Sequence, residues 1–531
     1  MKAVEYLLAT LERNGVETIF GNPGTTEIPL VRACERRPNI RYVVALSEIA
    51  AVPMADGYAR ARRTLGVVNL HVAPGLGNGM GALYTAGVAG TPLLVLIGGQ
   101  DRRFLHTGPI LWGPVEAMAR TVCKAVFTLN TRFDAAANVR RALRTALTQP
   151  YAPVALICPP DLLEEDIDAQ PAAVTPPVLS GFDDETADAY AQFLSAAKHP
   201  ALIAAEDVHW SGGSQALETL AAALNAPVYA APYTGVLPVA AASPCYAGYL
   251  PPSLAQMSER LHENDALLFV GGRGVRTTLY GTGALPQRKA WVGSDAGVQA
   301  IEGELELACV ADIARALRAV AARVKPRECA VREPLRPTLD LPAATASLHP
   351  TRAVAALLEQ YADAIWFDES GLSTSDVRQW MALPAGEYII NGSGGIGWGL
   401  PAAVGGALAR SDRQIVAAIG DGSALYASEA LWTAGHQGTR ILLVVFANRR
   451  YATLNEAASR LADGALESFT IEPPVLDFSG LATLYGWRYA CAATQEALDA
   501  LLSERDALAG NTVLELKLDP GLKPITASRH F

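Results

Sequence analysis

The fold class can be read from one stretch of this chain, QIVAAIGDGSALYASEALWTAGHQGTRILLVVFANRRY, residues 414–451. Two apolar runs in it, 414–419 and 441–446, have the length of a buried strand. A glycine-rich turn follows the first run, and a segment of helical character leads to the second. A strand, a turn, a helix and a second apolar strand form a βαβ unit, in which the two strands are parallel.

The same alternation extends outward through the whole chain. Short apolar runs separated by amphipathic segments occur at residues 42–46, 66–70, 93–97, 201–205, 266–270, 365–367 and 513–518. Continuous apolar runs separated by helices are typical of parallel sheets that are covered on both faces. We therefore predict an α/β protein built from doubly wound parallel sheets.

The length and the prolines predict three domains. At roughly 150 residues per domain, 531 residues allow about three to four. Two proline-rich stretches without periodicity, 171–180 and 325–350, are the candidate linkers. We place the domains at 1–170, 180–325 and 345–531.

Charge and composition exclude several classes of protein. The chain has 43 Lys and Arg against 53 Asp and Glu, and it has no basic block that would suit a nucleic acid. Its apolar runs are far shorter than the roughly 20 residues that span a bilayer. Glu5 and Glu12 interrupt the N-terminal apolar pattern, which predicts an amphipathic helix and not a secretion signal. Seven widely spaced cysteines without a CxxC pair favour reduced thiols and a cytoplasmic location.

Oxygen-bearing side chains follow both strands of the βαβ unit. Asp421 comes directly after the first strand, and Asn448 follows the second, 27 residues later (448 − 421 = 27). A hard divalent cation such as Mg²⁺ prefers oxygen ligands and often combines few protein carboxylates with phosphate oxygens. Asp421, the side-chain oxygen of Asn448 and a nearby backbone carbonyl, which we place at Arg450, would supply three ligands. Backbone N–H groups of Gly422 and Ser423 at the helix start suit a diphosphate.

This arrangement resembles the motif of thiamine-diphosphate (ThDP) enzymes, in which GDG is followed further along by a pair of asparagines. The first position of that pair is Ala447 here, whereas the second, the metal-binding one, is kept as Asn448. The resemblance implies ThDP and Mg²⁺ as cofactors. It also places Tyr451, which follows the metal-binding segment, at the cofactor and the substrate pocket.

Motifs in the first third of the chain resemble the pyrimidine-binding domain of the same family. They are GNPGTTEIPL at 21–30 and ALSEIAAVPMADGYA at 45–59. The resemblance places Asn22, Pro23, Gly24 and Glu48 at the cofactor. In the family, a glutamate at the position of Glu48 hydrogen-bonds a pyrimidine ring nitrogen and so favours the imino form of the cofactor. Because the family joins this domain to the diphosphate domain of another subunit, the resemblance implies a dimer with interface active sites, or a tetramer of such dimers.

A second glycine-rich loop, GSGGIGWGLP at 392–401, precedes a predicted helix. Its glycines would make a poor helix interior, so we expect a loop that a ligand approaches closely. In the family, the matching loop offers a backbone carbonyl to the aminopyrimidine, at Gly394, and a bulky apolar residue that bends the cofactor, at Ile396. Upstream, Ser373 and Thr374 offer hydroxyls for the diphosphate.

Within the family, these motifs and NLHVAPGLGNGMGAL at 69–83 look most like benzoylformate decarboxylases and acetolactate-synthase-like proteins. Thr25 matches a residue that contacts the substrate carboxylate. His71 matches an active-site histidine suited to proton transfer near neutral pH. A second family histidine, in the middle domain, falls on Thr278 here, so the chain lacks one expected acid for product release.

The sequence favours a ThDP- and Mg²⁺-dependent decarboxylase that converts a 2-oxo acid to an aldehyde. A carboligase of the acetolactate-synthase or benzaldehyde-lyase kind is the alternative, favoured if Thr278 leaves the product carbon unprotonated. An alternative of another class is a catalytically silent ThDP-fold subunit. Such a subunit should tolerate the loss of the active-site residues, all of which are present here: Glu48, His71, Asp421 and Asn448. We expect no FAD. The middle-domain turn VGGRG, at 270–274, lacks the third glycine of an NAD site.

Overall fold

The computed structural model of the chain describes residues 1–272, 274–277, 282–295, 304–327, 335–336, 338–461, 466–504 and 507–527. The chain divides into two compact units. The first combines Met1–Val178 with Ser393–Asp412 and Tyr426–Thr439, and the second combines Leu179–Gly392 with Arg413–Leu425 and Arg440–Phe531.

The first unit contains a six-stranded parallel sheet with the spatial order β2-β1-β3-β4-β6-β5. Its strands are β1 (Thr18–Gly21), β2 (Arg41–Val44), β3 (Gly66–Leu70), β4 (Leu93–Gly98), β5 (Ala125–Thr128) and β6 (Val154–Cys158). Its helices are α1 (Ala3–Arg13), α2 (Ile28–Glu35), α3 (Glu48–Arg62), α4 (Val72–Val88), α5 (Val115–Val122), α6 (Ala135–Ala146) and α7 (Pro160–Leu163), with short 3-10 helices at Thr25–Glu27 and Arg102–Thr107. Every residue of β3, β4 and β6 is buried, which agrees with their continuous apolar runs.

The second unit contains two further six-stranded parallel sheets. The middle sheet has the order β12-β11-β10-β7-β8-β9. Its strands are β7 (Pro200–Ala204), β8 (Val228–Ala230), β9 (Tyr246–Tyr249), β10 (Ala266–Val270), β11 (Arg288–Gly293) and β12 (Leu307–Val310). Its helices are α8 (Asp184–Ala196), α9 (Asp207–Ser211), α10 (Ser214–Leu224), α11 (Leu254–Leu261) and α12 (Ile313–Ala321).

The third sheet has the order β14-β13-β15-β16-β18-β17, the same pattern as the first sheet. Its strands are β13 (Ile365–Glu369), β14 (Tyr388–Ile390), β15 (Ile415–Gly420), β16 (Ile441–Ala447), β17 (Arg488–Ala492) and β18 (Thr512–Lys517). The helices of this part of the chain are α13 (Pro350–Gln360), α14 (Thr374–Trp380), α15 (Gly399–Ala409), α16 (Asp421–Tyr426), α17 (Ala430–His436), α18 (Ala452–Leu461), α19 (Phe478–Leu484) and α20 (Gln495–Ser503), with 3-10 helices at Gly371–Ser373 and Glu467–Phe469.

Three parallel sheets flanked by helices confirm the predicted α/β class. The domain boundaries at 170–180 and 325–345 stay a prediction. The compact units add a feature that the proline-rich stretches do not indicate, because α15 and α17, late in the chain, belong to the first unit. In the described part of the chain, none of the helices combines the length and the apolar character needed to cross a membrane.

Helix α15 joins the first unit by packing against α3 at two glycines. Gly57 lies against Ala402, and Gly405 lies against Met54, so the two helices run antiparallel. A Cβ atom at either glycine would overlap a backbone carbonyl of the facing helix. The close approach of the two backbones therefore requires glycine at both positions.

A buried polar network adjoins this crossing. Asp56 accepts hydrogen bonds from Nε of Arg60 (2.8 Å) and from Nε1 of Trp398 (2.7 Å). The guanidinium of Arg60 also lies 4.7 Å from the Trp398 ring centroid, and its Nε contacts the Thr91 hydroxyl at 3.1 Å. A buried ion pair needs such further partners because burial removes its water. The network accounts for the polar residues in the otherwise apolar ADGYAR segment, 55–60.

Candidate active site

In the second unit, Asp421 and Asn448 lie at the carboxyl ends of the neighbouring strands β15 and β16. Asp421 is buried, and its Oδ1 accepts from the backbone N–H of Gly422 at 2.9 Å. Its Oδ2 accepts from the N–H of Arg449, the residue after Asn448, at 2.6 Å. Oδ1 of Asn448 accepts from the N–H of Arg450 at 3.1 Å. The two predicted ligand side chains are thus brought to one edge of the sheet.

This donor set fits a hard divalent cation. Burial raises the pKa of the Asp421 carboxyl to about 6, against backbone hydrogen bonds that lower it. A cation beside a buried carboxylate offsets the cost of removing that charge from water. Among the described residues, no cluster of three or more His, Cys, Asp or Glu side chains is placed to hold a metal. Carboxylate, amide and backbone oxygens, together with phosphate, are therefore the ligands that this edge can offer.

Gly422 lies under the ring of Tyr451. A Cβ atom on Gly422 would lie 2.7 Å from Cε1 of Tyr451, so the ring fixes the requirement for glycine. Ser423, the next residue of α16, is half-buried, and Tyr451 is itself partly exposed. The helix start and the aromatic ring therefore flank the Asp421 carboxylate on one side of the sheet edge.

Ser373 and Thr374 lie in the DESGLSTS segment, 368–375, which follows β13. Ser373 and Thr374 are both buried, and the Thr374 hydroxyl is 3.2 Å from Oδ1 of Asp368. The Thr374 hydroxyl is thus committed within the protein. Gly371, which has a φ of 62°, is the more accessible residue of this turn. A role of Ser373 and Thr374 at the diphosphate stays a prediction.

In the first unit, Glu48 begins α3, and its carboxylate is buried with 5% of the residue exposed. The Ser47 hydroxyl caps the helix by accepting from the N–H of Ala50 at 3.2 Å. Nδ2 of Asn78 donates to Oε2 of Glu48 at 3.1 Å. A Cβ atom on Gly75 would lie 2.7 Å from Oε1 of Glu48, so α4 approaches the carboxylate closely. Glu48 is therefore a positioned carboxylate and not a solvated helix start.

His71 and Glu27 form a pair beside Glu48. Nδ1 of His71 lies 2.7 Å from Oε2 of Glu27, whose residue is 1% exposed. Oε1 of Glu27 accepts from the Thr26 hydroxyl at 2.6 Å, and its Oε2 also accepts from the N–H of Gly24 at 2.8 Å. The Cβ of His71 and Oε1 of Glu48 both lie against Gly75. A carboxylate accepts only, so this geometry puts the Nδ1 proton on His71 and leaves Nε2 for other partners.

The sequence did not single out Glu27. Its signal is the acidic residue three positions after Gly24 in GNPGTTE, the spacing at which a side chain reaches back to a backbone N–H. A second signal is Gly98, where a Cβ atom would overlap Oε1 of Glu27. Both signals need the partner position to be known before they can be interpreted.

The remaining predicted residues of this half lie in the turn after β1 and at the first position of the 3-10 helix that follows it. Asn22, Pro23 and Gly24 are half-buried, and Thr25 is exposed. A Cβ atom on Gly24 would overlap the His71 ring, so the absence of a side chain lets the imidazole lie on the backbone. The turn follows the carboxyl end of β1. In the sheet, the strand order reverses between β1 and its neighbour β3, and ligands of open α/β sheets bind at such a point.

From Ser393 onward, the second glycine-rich loop lies in the first unit with α15. Gly394 has a φ of 81°, Ile396 is 43% exposed, and a Cβ atom on Gly397 would overlap the ring of Tyr426. The Ser393 hydroxyl is 2.8 Å from that of Thr85. Loop residues 392–398 precede the helix, as predicted, whereas Gly399 already begins α15.

Glu48 and this loop lie at opposite ends of the α3–α15 pair. Because the helices are antiparallel, the segment before α15 lies beside the end of α3, which is 15 residues long. The contact of Ser393 with Thr85 agrees, since Thr85 is near the end of α4 and Gly75 near its start. A rise of 1.5 Å per residue separates the two ends by about 15 to 20 Å. Glu48 and Gly394 of one chain therefore lie toward opposite ends of this helix pair.

Thr278, where the second family histidine was expected, lies outside the described residues. Arg276, two residues before Thr278, is described. Its Nη2 lies 3.2 Å from Oε1 of the buried Glu206. Nη1 of Arg276 donates to the carbonyl of Gly392 at 3.0 Å. This arginine connects the turn after β10 to Gly392, the first residue of the glycine-rich loop.

Three parts of the chain, one for each sheet, match domains of known proteins. Residues 1–118, 187–320 and 369–515 match the N-terminal TPP binding, central and C-terminal TPP binding domains of thiamine pyrophosphate enzymes. Benzoylformate decarboxylase of Pseudomonas aeruginosa is 32% identical over 507 residues, which cover 93% of this chain and 94% of that protein. Acetolactate synthase large subunit of Haemophilus influenzae is 24% identical over 536 residues, covering 95% and 92%. The solved ThDP-dependent 4-hydroxybenzoylformate decarboxylase of Rhodococcus jostii RHA1 superposes with a TM-score of 0.91 at 30% identity, covering 98% and 99%.

Proposed function

The chain belongs to the thiamine-diphosphate-dependent decarboxylase family, and we propose that it is a carboxy-lyase that converts a 2-oxo acid to CO₂ and an aldehyde. One observation carries the proposal. The buried Glu48 carboxylate and the Cβ of His71, whose ring pairs with Glu27, both lie against the same glycine, Gly75. A fixed carboxylate beside an oriented imidazole supplies both the cofactor contact and the proton transfer that this reaction needs.

In this proposal, the first unit binds the pyrimidine and supplies the groups that transfer protons. When bound, ThDP supplies the nucleophilic carbon and the electron sink for loss of CO₂. Glu48, held by Asn78, would hydrogen-bond a ring nitrogen of the pyrimidine and so favour the imino form. His71 presents Nε2 to the reacting centre, because Glu27 engages Nδ1. Thr25, exposed in the turn after β1, is the candidate contact for the substrate carboxylate.

The second unit holds the diphosphate and Mg²⁺ in the same proposal. Asp421, Asn448 and the backbone carbonyl of Arg450 are the protein ligands. The N–H groups at the start of α16 bind phosphate oxygens, where the helix dipole favours negative charge. The support is that strand pairing brings Asp421 and Asn448 to one edge, where Asp421 accepts from the N–H of Arg449, the residue after Asn448.

We place two copies of the chain around each pyrimidine. The support is the separation of Glu48 from Gly394 along the antiparallel α3–α15 pair. An apolar segment after β4 adds to it: Ile110 is 85% exposed and Trp112 is 61% exposed. Exposed apolar clusters of this kind are characteristic of surfaces that a partner covers. We propose a dimer as the smallest active form and, from the widely spaced cysteines, a cytoplasmic location.

A panel of 2-oxo acids, including benzoylformate, 4-hydroxybenzoylformate and pyruvate, tests the reaction with ThDP and Mg²⁺ present. We expect CO₂ and aldehyde in equal amounts from at least one acid, and loss of both with Glu48→Gln. The matched control is Glu35→Gln, an exposed carboxylate at the end of α2. Formation of hydroxyketone alone, with or without an added acceptor aldehyde, would establish the carboligase instead, which Thr278 in place of a histidine favours. A protein whose thermal midpoint does not respond to ThDP with Mg²⁺, and which forms no CO₂, would be a silent subunit.

A further inference from the structure

The middle sheet has the strand order of a dinucleotide-binding fold. Numbered within the sheet from β7, the order β12-β11-β10-β7-β8-β9 becomes 6-5-4-1-2-3. In such sheets, ligands bind at the carboxyl ends of the strands, at the point between the first and fourth strands where the order reverses. That point lies between β7 and β10 here, and the glycine-rich turn with Gly271 and Gly272 follows β10.

A side chain of the protein itself occupies this point. Oδ2 of Asp207, at the start of α9, accepts from the N–H of Gly272 at 3.3 Å, from the N–H of Ser294 at 3.2 Å and from the Ser294 hydroxyl at 2.9 Å. Ser294 comes directly after β11. Backbone N–H and hydroxyl groups that converge on one oxygen are the donors that phosphate groups use in these folds. The Asp207 carboxylate therefore makes the hydrogen bonds that a bound phosphate would make.

The glycines of the turn are explained by packing on this carboxylate. A Cβ atom on Gly271, which has a φ of 75°, would lie 2.5 Å from the Cβ of Asp207. One on Gly272, with a φ of 70°, would lie 2.5 Å from the Cβ of Ala205. The turn thus closes on the protein's own β7–α9 connection, which leaves no need for a ligand to account for its two glycines.

The charge at this point also opposes an anion. Glu206 is buried next to Asp207. Burial, and after it the charge of Glu206, raises the pKa of the Asp207 carboxyl. Glu206 is satisfied by Arg276 at 3.2 Å and by the Thr234 hydroxyl at 3.1 Å. Two carboxylates at the switch point repel a diphosphate. One of them, Asp207, already accepts the hydrogen bonds that the diphosphate would need.

We propose that Asp207 is a built-in anion that replaces a phosphate at the switch point of the middle sheet, so that this domain excludes the diphosphate of a dinucleotide such as FAD or NAD. Removal of the carboxylate leaves three converging donors at Gly272 and Ser294 without their acceptor. A small anion added to the solution is then expected to take its place.

The test compares the thermal midpoint of wild type and Asp207→Ala while sodium phosphate or sodium formate is added, with sodium chloride at equal ionic strength as the reference salt. The matched control is Asp312→Ala in the same domain, which removes a helix-capping carboxylate that accepts from the N–H of Arg315 at 2.8 Å. We expect a lower midpoint for both variants, and recovery by phosphate or formate for Asp207→Ala only. ADP is added as a second probe, with binding measured by calorimetry.

Wild type is expected to show no saturable binding of ADP or FAD, whereas Asp207→Ala gains binding of phosphate. Asp207→Asn keeps the size of the side chain and one acceptor oxygen, so it should hold a midpoint near that of wild type. Saturable binding of ADP or FAD to wild type would overturn the proposal, and so would equal recovery of Asp312→Ala. None of these measurements uses substrate or ThDP, so their failure is distinct from failure of the proposed reaction.

Discussion

Nδ1 of His71 lies 2.7 Å from Oε2 of Glu27, a carboxylate almost entirely removed from solvent. The second oxygen of Glu27 accepts from the Thr26 hydroxyl, so the carboxylate is fixed from both sides. A buried acceptor at Nδ1 sets the tautomer and the ring orientation of a histidine, which acts through its other nitrogen. His71 is thereby suited to exchange protons through Nε2.

Replacement of Glu27 by Gln should therefore reduce the rate without preventing folding. The amide can donate to Nδ1 and favour the opposite tautomer, and we expect kcat for CO₂ release to fall by about 10²-fold or more. The measurements are steady-state kinetics and the ¹⁵N resonances of the His71 ring. Glu35→Gln, on the surface of the same unit, is the control. An unchanged kcat with an unchanged tautomer would remove Glu27 from the reaction.

The α3–α15 crossing predicts a loss of stability for Gly57→Ala. The new methyl group would overlap the carbonyl of Ala402, and overpacking of this kind costs about 1 to 3 kcal/mol. Gly81→Ala in α4 is the control, because nothing lies within 4 Å of its Cβ position. Alanine there should stabilise the helix by up to about 1 kcal/mol. Thermal midpoints of the two variants should move in opposite directions, and similar shifts would contradict the close approach of the helices.

Substitution of Asp421 should weaken the binding of ThDP that depends on Mg²⁺. Asp421→Asn removes the charged ligand of the proposed Mg²⁺ site, so we expect the Kd for ThDP to rise by about 10²-fold in the presence of Mg²⁺. Addition of EDTA to wild type should have a similar effect. Asp412→Asn, an exposed carboxylate after α15, should change neither value. Binding can be followed by quenching of tryptophan fluorescence, and tight ThDP binding by Asp421→Asn would refute the assignment.

The Asp207 carboxyl should make stability depend on pH. Its pKa in the folded protein is raised to about 6 from 3.8, first by burial and then by the charge of Glu206, which Arg276 pairs. Between these two values, the folded state binds a proton that the unfolded state does not. Stability from this group therefore increases as the pH falls from 7 toward 4, by up to about 3 kcal/mol.

The comparison of wild type with Asp207→Asn isolates that contribution. The thermal midpoint of wild type should rise relative to the variant when the pH is lowered from 7.5 to 5, since asparagine has no proton to gain. A constant difference between the two proteins over this range would show that Asp207 titrates as it does in the unfolded chain.

The fold could be predicted from the sequence because the signals are local. The runs predicted at 414–419 and 441–446 correspond to the parallel strands Ile415–Gly420 and Ile441–Ala447, in which every residue except Gly420 is buried. The meeting of Asp421 with the Asn448 segment follows from strand adjacency alone. The contact of the Thr374 hydroxyl with Asp368 could not be predicted, because a hydroxyl-rich turn does not show which hydroxyls an internal carboxylate will engage.

The features that were missed depend on contacts between distant parts of the chain. Glu27 acquires its role only when the strand order brings β1 beside β3, which places it next to His71. Asp207 likewise needs the turn after β10 and the end of β11. The assignment of α15 to the first unit rests on glycines 348 residues apart in sequence (405 − 57 = 348), and nothing in either local segment identifies the other.

Hybrid dimers provide the sharpest test of active sites built from two chains. Glu48→Gln and Asp421→Asn should each be inactive alone, since each removes a residue needed at every site. The two variants are co-expressed with different affinity tags, and the hybrid dimer is purified through both tags. If each site takes Glu48 from one chain and Asp421 from the other, one site of the hybrid carries both substitutions and the other site carries neither. Two-fold symmetry then predicts about half of the wild-type activity per dimer. If Glu48 and Asp421 of the same chain formed one site, the hybrid would stay inactive, and wild type paired with itself through the same two tags controls for the purification.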